Sequence, residues 1–586
     1  MRQTFADSGR KISEFSQAFV LLRQALDSSN ITQAVFVSTR TLEEVEKLGT
    51  GTHLNYAESI RADQRPHGAV KIENLKLLNP VQMDASLRSE CLHGTREDIL
   101  ARVTNWLITP LEGKNVLWMH GVAGSGKSTI STTVAEYFRE VRRLGAFIFF
   151  DRNDQAHSHP AAIVRTLAYR LASFDSRIQS TVSAEIEGDK SIAEAPIRRQ
   201  FAKLLLGPLQ AIAKLSLQGP VIIVIDALDE CGEVASRKTL LALLAQELAD
   251  LPPMFRFLIT SRAESDISAA FSGQSHIVEM ELSITTDANA NDVSLFLQNE
   301  IRPIRDRHKL APDWPGKARV GNLAKLSAGL FIWASLAVNL IMDAYDPDDQ
   351  LEVLLRAGSH ETAEAGLDDL YATVLRAAGK WDTDAFLTAF HAIMGMVVAG
   401  RIPLSDDNID RLLGPDGHRS SSAMLSRFRC LLIWNPGKPV RVLHASFADY
   451  LTDRHRSGQQ PWFIDLAAAN NKLVLACLQL MKTGLHFNIC ALETSHLSNE
   501  DVPGLAQCVE TAIPSHLAYA CQFWADHLCA APGDNGLTSA LHDFVHDSLF
   551  YWLEALSLLD KVVLASPSLL KAARWSRVRV KFVIFY

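Results

Sequence analysis

The chain has 586 residues, 47% of them hydrophobic and 21% charged, enough to bury a large core and too apolar for a disordered chain. Lys plus Arg number 58 against 66 Asp plus Glu, a formal charge of −8, and no dense basic stripe interrupts that balance. This argues against nucleic-acid binding as the main function. At about 150 residues per domain, the length is that of roughly four domains. Eight cysteines without a CxxC pair give neither a disulfide framework nor a zinc pattern. The N-terminal MRQTFADSGRKISEF has no apolar signal core, and the longest apolar stretches, 329–342 and 385–400, fall short of the ~20 residues of a bilayer span. The expectation is a cytoplasmic protein without a membrane span.

In chain order, residues 1–65 carry amphipathic helical periods (ISEFSQAFVLLRQAL, TRTLEEVEKL) and no chemical motif. The polar RADQRPHG leads into a linker over 66–90. From Val116 short apolar runs alternate with helical periods: VLWMH, a helix from Lys127, AFIFF, a helix around 163–172, VIIVID, a Leu/Ala-rich helix reaching Ala249, FRFLIT and SHIVEM. Unbroken apolar strands separated by helices predict a parallel sheet covered on both faces. Beyond it, helices are predicted at about 287–304, 317–342, 367–379 and 383–398, as the periodicity reads. RCLLIW and VRVLH flank the turn NPGK and, with helices before them and FADYLTD after, suggest a winged-helix unit. From Trp462 the chain is again mostly helical, with no internal repeat of fixed period.

The strongest chemical signal is GVAGSGKST at 121–129, which matches GxxxxGK[ST] between an apolar run and an amphipathic stretch. Glycines let successive N–H groups point at a phosphate, and the helix N-terminus adds its positive end. Gly121, Gly124, Ser125, Gly126, Lys127, Ser128 and Thr129 form the candidate phosphate-binding set. Lys127 is placed to bridge β- and γ-phosphates, and the Ser128 hydroxyl to ligate Mg²⁺. The second signal is VIIVIDALDE at 221–230, which puts Asp226 at the C-terminal tip of a buried strand, the edge where open α/β sheets bind ligands. Asp226 is the candidate second Mg²⁺ ligand, and Asp229 or Glu230 a candidate for orienting an attacking water.

These residues resemble the NACHT-type nucleotide-binding domains of the STAND class of P-loop ATPases, in their fungal, nephrocystin-3-like subgroup. GVAGSGKST, VIDALDE with the small Ala227 after Asp226, and FLITSR carry the likeness. The resemblance implies an α/β P-loop NTPase core followed by helical, winged-helix and α-helical arm domains. The boundaries expected are 91–283 for the NTPase, 284–380 for the helical domain, 381–455 for the winged-helix-like domain and 456–586 for the arm. It also implies that Arg262 senses the γ-phosphate. CLHGTREDILARVTNW at 91–106 is similar to the segment that packs near adenine and ribose, which makes Thr95 and Arg96 candidate contacts. LAKLSAGLFIWASLAVNL at 323–340 is similar to the following helical domain, but Gly329-Leu330-Phe331 lacks the Pro that touches the base in related receptors. VLHASFADY at 442–450 is similar to the winged-helix segment whose His reaches the β-phosphate of ADP, here His444.

The function so implied is an ATP/ADP and Mg²⁺ switch in which exchange or slow hydrolysis is coupled to homo-oligomerisation, with an unknown signalling protein as partner. In fungi this points to non-self recognition or cell death. The alternatives are a constitutive P-loop ATPase and a non-hydrolysing scaffold. No NKxD-type guanine-reading motif occurs. Many similar proteins carry a repeat sensor after the arm, and no such repeat is found here. His542 and His546 have helical i, i+4 spacing but no third ligand, so no metal is expected there.

Overall fold

The computed structural model describes residues 74–583 apart from 82–87, 110–112, 153, 155–157, 214–218, 233, 357–359, 361, 415–419, 494–498 and 533–534. The N-terminal helices expected over 1–65 lie outside the described residues. The fold has two units. The first runs to residue 282, and the second takes up the chain from 283, together with the short segments 122–126 and 151–156.

The first unit is a five-stranded parallel sheet made of β1 (Val116–His120), β2 (Leu144–Phe149), β3 (Val221–Asp226), β4 (Phe255–Ser261) and β5 (Ile277–Glu281). The strand order is β2-β3-β4-β1-β5. Alternation along the strands explains the unbroken apolar runs, because successive side chains enter two separate cores. Val116, Trp118, Ile223, Ile225, Phe257 and Ile259 join one core. Leu117, Met119, Ile222, Val224 and Leu258 join the other, with Val103 and Leu107 of α1 (Glu97–Ile108) and Ile130 and Val134 of α2 (Lys127–Glu140). Apart from Arg256, whose guanidinium donates to the carbonyl oxygens of Lys114, Trp106 and Thr109, the two-sided burial of β1, β3 and β4 leaves polar residues only at the strand tips. The first core is closed by α3 (Ile163–Phe174), α4 (Val234–Gln246) and α5 (Ser265–Phe271), among others. Leu75 and Leu78, inside the stretch read as a linker, are buried in that same core.

The second unit is predominantly helical. It includes α6 (Asp287–His308), capped by Thr286, whose side chain accepts from the Asn289 N–H. The single helix expected over 317–342 is two, α7 (Lys317–Leu326) and α8 (Phe331–Asp343). Between them Ala328 and Gly329 adopt φ of 46° and 82°. A Cβ on Gly329 would lie 2.1 Å from the Ile284 carbonyl oxygen and 2.6 Å from Asn289 Nδ2. Both flanks are apolar with helical period, so periodicity alone runs through a break that two left-handed residues impose.

The strand-like pair near 430–444 is a short antiparallel ladder of β6 (Leu432–Ile433) and β7 (Arg441–Val442), followed by α9 (Ala445–Thr452). Further on, α10 (Leu466–Gly484) and α11 (Ser515–Ala530) pack together. Between them His527 is fully buried, its Nε2 2.7 Å from Tyr519 Oη and its Nδ1 2.8 Å from Asn470 Oδ1. The aromatics of this region are core residues: Trp524 and Trp552 are inaccessible, their ring centroids 5.8 Å apart. Among the described residues no helix is long and apolar enough to cross a membrane.

Candidate functional site

Strand order decides which side chains can meet. In a parallel sheet every strand delivers its C-terminal end to one edge, and β4 lies between β1 and β3. The glycine-rich loop after β1, the acid at the end of β3 and the residues at the end of β4 therefore share that edge. The loop needs its glycines for conformation, since Gly124 and Gly126 have φ of 75° and 94°. The Gly124 carbonyl also accepts the Ile332 N–H at 3.4 Å, and a Cβ on Gly124 would lie 2.0 Å from Ile332 Cγ2. Ser125 is fully buried and Ser128 is exposed, while Thr129 is half-buried.

Lys127 opens α2, and its Nζ donates to the Gly121 carbonyl oxygen at 2.8 Å. Burial lowers its pKa from 10.5 to about 8, and the charge of Arg262 adds to that against the opposing pull of Asp229, Asp226 and Glu230. The ammonium is therefore sequestered within the loop that would wrap a phosphate.

Asp226 is completely buried at the tip of β3. Thr260 Oγ1 donates to its Oδ1, and Arg88 Nη1 pairs with its Oδ2. Burial alone would raise its pKa, but Arg88 and the hydroxyls of Thr260, Ser131 and Ser128 outweigh that and hold it below the ordinary carboxylate value. A buried carboxylate beside the Ser128 hydroxyl is a hard-oxygen donor set of the kind Mg²⁺ prefers, and the guanidinium on Oδ2 shows that the place accepts a cation. The residues fit that ion. When bound there, Mg²⁺ would supply positive charge to phosphate oxygens.

Asp229 lies in a one-turn 3₁₀ segment, Leu228–Glu230, entered through Ala227 at φ 58°. Its buried carboxylate accepts the backbone N–H of Arg262 at 3.0 Å on Oδ1, and Arg262 Nε lies 3.2 Å from Oδ2. The expected water-orienting acid and the expected γ-phosphate sensor are thus engaged with each other. Glu230, on the same turn, is half-buried.

Arg237, on α4, holds this turn from behind. Its Nη1 donates to the Asp229 carbonyl oxygen at 2.7 Å, its Nε to Asp266 Oδ2 at 2.7 Å, and its Nη2 to Glu264. Arg237 and Arg88 belong to no spacing motif and carry no sequence signal. Only the assembled sheet edge brings them to the acids.

The remaining candidates are placed as follows. Thr95 is buried and its hydroxyl donates to the Leu92 carbonyl oxygen at 2.6 Å. Arg96, also buried, precedes α1 with φ 62°. His444 is the N-cap of α9: its Nδ1 accepts the Ser446 N–H at 3.2 Å and lies 2.7 Å from Ser446 Oγ, which lies 2.8 Å from Tyr371 Oη. A neutral ring with an accepting Nδ1 carries its proton on Nε2. His542 and His546 stack with centroids 4.0 Å apart, and among the described residues no group of three or more His, Cys, Asp or Glu could hold a metal.

Residues 94–262 match the family described as nephrocystin 3, N-terminal, which spans the P-loop, both acids and Arg262. The chain is also 24% identical over 483 residues to the vegetative incompatibility protein HET-E-1 of Podospora anserina, covering 76% of this chain. Both likenesses support a fungal NACHT-type protein. The chain spans 34% of that relative's length. Among solved structures, this chain aligns with Cdc6p of Pyrobaculum aerophilum at 12% identity, over 61% of this chain and 93% of that one, with a TM-score of 0.29. It aligns with the Aeropyrum pernix ORC1 protein, solved in complex with DNA, at 15% identity over 66% and 97%, with a TM-score of 0.26. The α/β fold of the first unit rests on the strand order itself.

Proposed function

We propose that this NACHT-type chain is an ATP/ADP-dependent signalling switch of the STAND class, in which nucleotide exchange or slow hydrolysis is coupled to homo-oligomerisation. The observation that carries the reading is the pairing of Arg262 with Asp229 beside Lys127 and Asp226. All four lie at one sheet edge, and the acid suited to orienting water is tied to the arginine suited to sensing a γ-phosphate. A third phosphate offers Arg262 a competing partner, whereas a diphosphate does not. Triphosphate and diphosphate are thereby bound with different free energies, which is what a ligand needs to shift a two-state equilibrium. The same pairing favours a switch over a constitutive ATPase, since in this arrangement the Asp229 carboxylate is already engaged.

In this reading residues 91–283 form the NTPase domain, 284–380 the helical domain, 381–455 a winged-helix-like domain and 456–586 the arm. The β6–β7 ladder followed by α9 supports the winged-helix assignment. Gly121, Gly124, Ser125, Gly126, Lys127, Ser128 and Thr129 hold the phosphates, with Ser128 and Asp226 toward Mg²⁺. Thr95 and Arg96 serve the base and ribose, and His444 serves as the ADP-state contact. The capped, Nε2-protonated ring of His444 is a hydrogen-bond donor, the form a phosphate oxygen requires. The name of the Podospora relative supports an output in fungal non-self recognition or cell death.

The test is the nucleotide content and solution size of gently purified protein. Stoichiometric ADP in a monomer, with assembly on exchange for ATP, is expected. An empty protein turning over ATP at ~1 s⁻¹ or faster would replace the switch with a working ATPase.

A further inference from the structure

Asp226, the acid placed to hold Mg²⁺, already has a full cation on it. Its Oδ1 is taken by the Thr260 hydroxyl, and its Oδ2 by the Arg88 guanidinium. Arg88 is well seated: its guanidinium carbon lies 4.0 Å from the centroid of the Phe149 ring, its Nη2 is 3.4 Å from the Phe150 carbonyl oxygen, and its side chain is only 17% exposed. A fully buried carboxylate is costly without a counter-charge, and Arg88 provides one. A divalent cation held by Asp226 and Ser128 would have to sit against the same carboxylate. Two cations that close repel strongly at an interior site, so the guanidinium and the metal exclude each other.

We propose that Arg88 is an internal counter-ion that competes with Mg²⁺ for Asp226, so that metal-assisted nucleotide binding requires its displacement. This rests on the nucleotide-switch reading and deepens it. By linkage the competition is reciprocal: Mg²⁺ loosens Arg88, and Arg88 weakens Mg²⁺. The consequence extends along the chain. Three residues on, the Cys91 N–H is tied to Thr133 Oγ1 of α2 at 2.8 Å. Releasing Arg88 undoes one tie three residues ahead of that anchor.

The test is binding of a fluorescent ADP analogue to the full chain, titrated in excess EDTA and in excess MgCl₂, for wild type, Arg88→Gln and Arg88→Lys. The readout is the ratio of the two affinities. Arg88→Gln is expected to raise the Mg²⁺ enhancement roughly tenfold, with Arg88→Lys in between. An unchanged ratio in a folded Arg88→Gln protein overturns the proposal. So does an equal loss of affinity in both conditions, which would mean that Arg88 touches the nucleotide or only supports the fold. Should Arg88→Gln fail to fold by circular dichroism, Arg88→Lys decides, and a wild-type ratio overturns the proposal. Wild type that binds no analogue in either condition defeats the nucleotide reading along with this one. Wild type that binds, with the ratio unmoved by substitution, defeats this one alone.

Discussion

The Arg262 backbone N–H and its Nε both engage the one carboxylate of Asp229, at 3.0 and 3.2 Å, so guanidinium and acid form a closed pair at the tip of β4. The Asp229 side chain is 3% exposed and the Arg262 side chain 23%. Arg262→Ala therefore leaves the buried Asp229 carboxylate its backbone N–H but takes away its guanidinium. A loss of about 1–3 kcal/mol in unfolding free energy is expected, below the value for a fully buried pair because Arg262 reaches solvent. In calorimetric titrations the variant should also lose its discrimination between ATP and ADP. Arg262→Ala that still separates the two nucleotides as wild type does would remove Arg262 from the sensing role.

Lys127 makes two pH effects of opposite sign. Its folded pKa of about 8 lies below the ordinary 10.5, so between these values the unfolded chain holds a proton that the folded chain has released. Stability of nucleotide-free protein attributable to this group therefore rises from pH 8 to about pH 10.5. Phosphate binding needs the ammonium, so nucleotide affinity falls as pH climbs through about 8, by up to about tenfold per pH unit. Chemical denaturation and nucleotide titration across this range check the two signs together. Lys127→Ala should remove this upward contribution to stability, leaving the contributions of the buried cysteines and tyrosines, and weaken binding at every pH.

Gly124 tests the loop geometry. With φ at 75° and a prospective Cβ 2.0 Å from Ile332 Cγ2, Gly124→Ala is both strained and obstructed. A loss of nucleotide affinity of tenfold or more is expected, about 1.4 kcal/mol per factor of ten. Adding Ile332→Ala removes the 2.0 Å clash while leaving the backbone strain and the Ile332 Cβ at 2.9 Å, so the double variant should recover part of the affinity. Equal affinities for the single and double variants would show that Ile332 does not limit the loop.

His527 is expected to make stability sensitive to acid. Burial, followed by the charge of Arg401, lowers its pKa from 6.5 to about 3. The unfolded chain binds a proton between those values that the folded chain refuses, so stability is lost as pH falls from 6.5 toward 3, at up to about 1.4 kcal/mol per pH unit. His527→Gln can keep a hydrogen bond to Tyr519 and should flatten that slope in urea denaturation, at the cost of some stability near neutral pH. An undiminished slope would assign the acid sensitivity to other groups.

What the residues alone determined here is what local rules can encode. The largely apolar runs predicted a parallel sheet because strands buried on both faces leave few polar positions before their tips. The glycine-rich loop and the acid after VIIVI were legible because their chemistry depends on spacing within one strand, turn and helix. The break at 327–330 was not legible, since apolar helical period continues on both sides of it. Nor were Arg88 and Arg237, which lie 138 positions before Asp226 and eight after Asp229 in sequence, in segments without a motif. Their roles arise only when parallel pairing brings strand tips to one edge and buries carboxylates that then require a counter-charge. Tertiary structure decided those partners because desolvation, which sets the demand for a counter-ion, has no signature in a linear sequence.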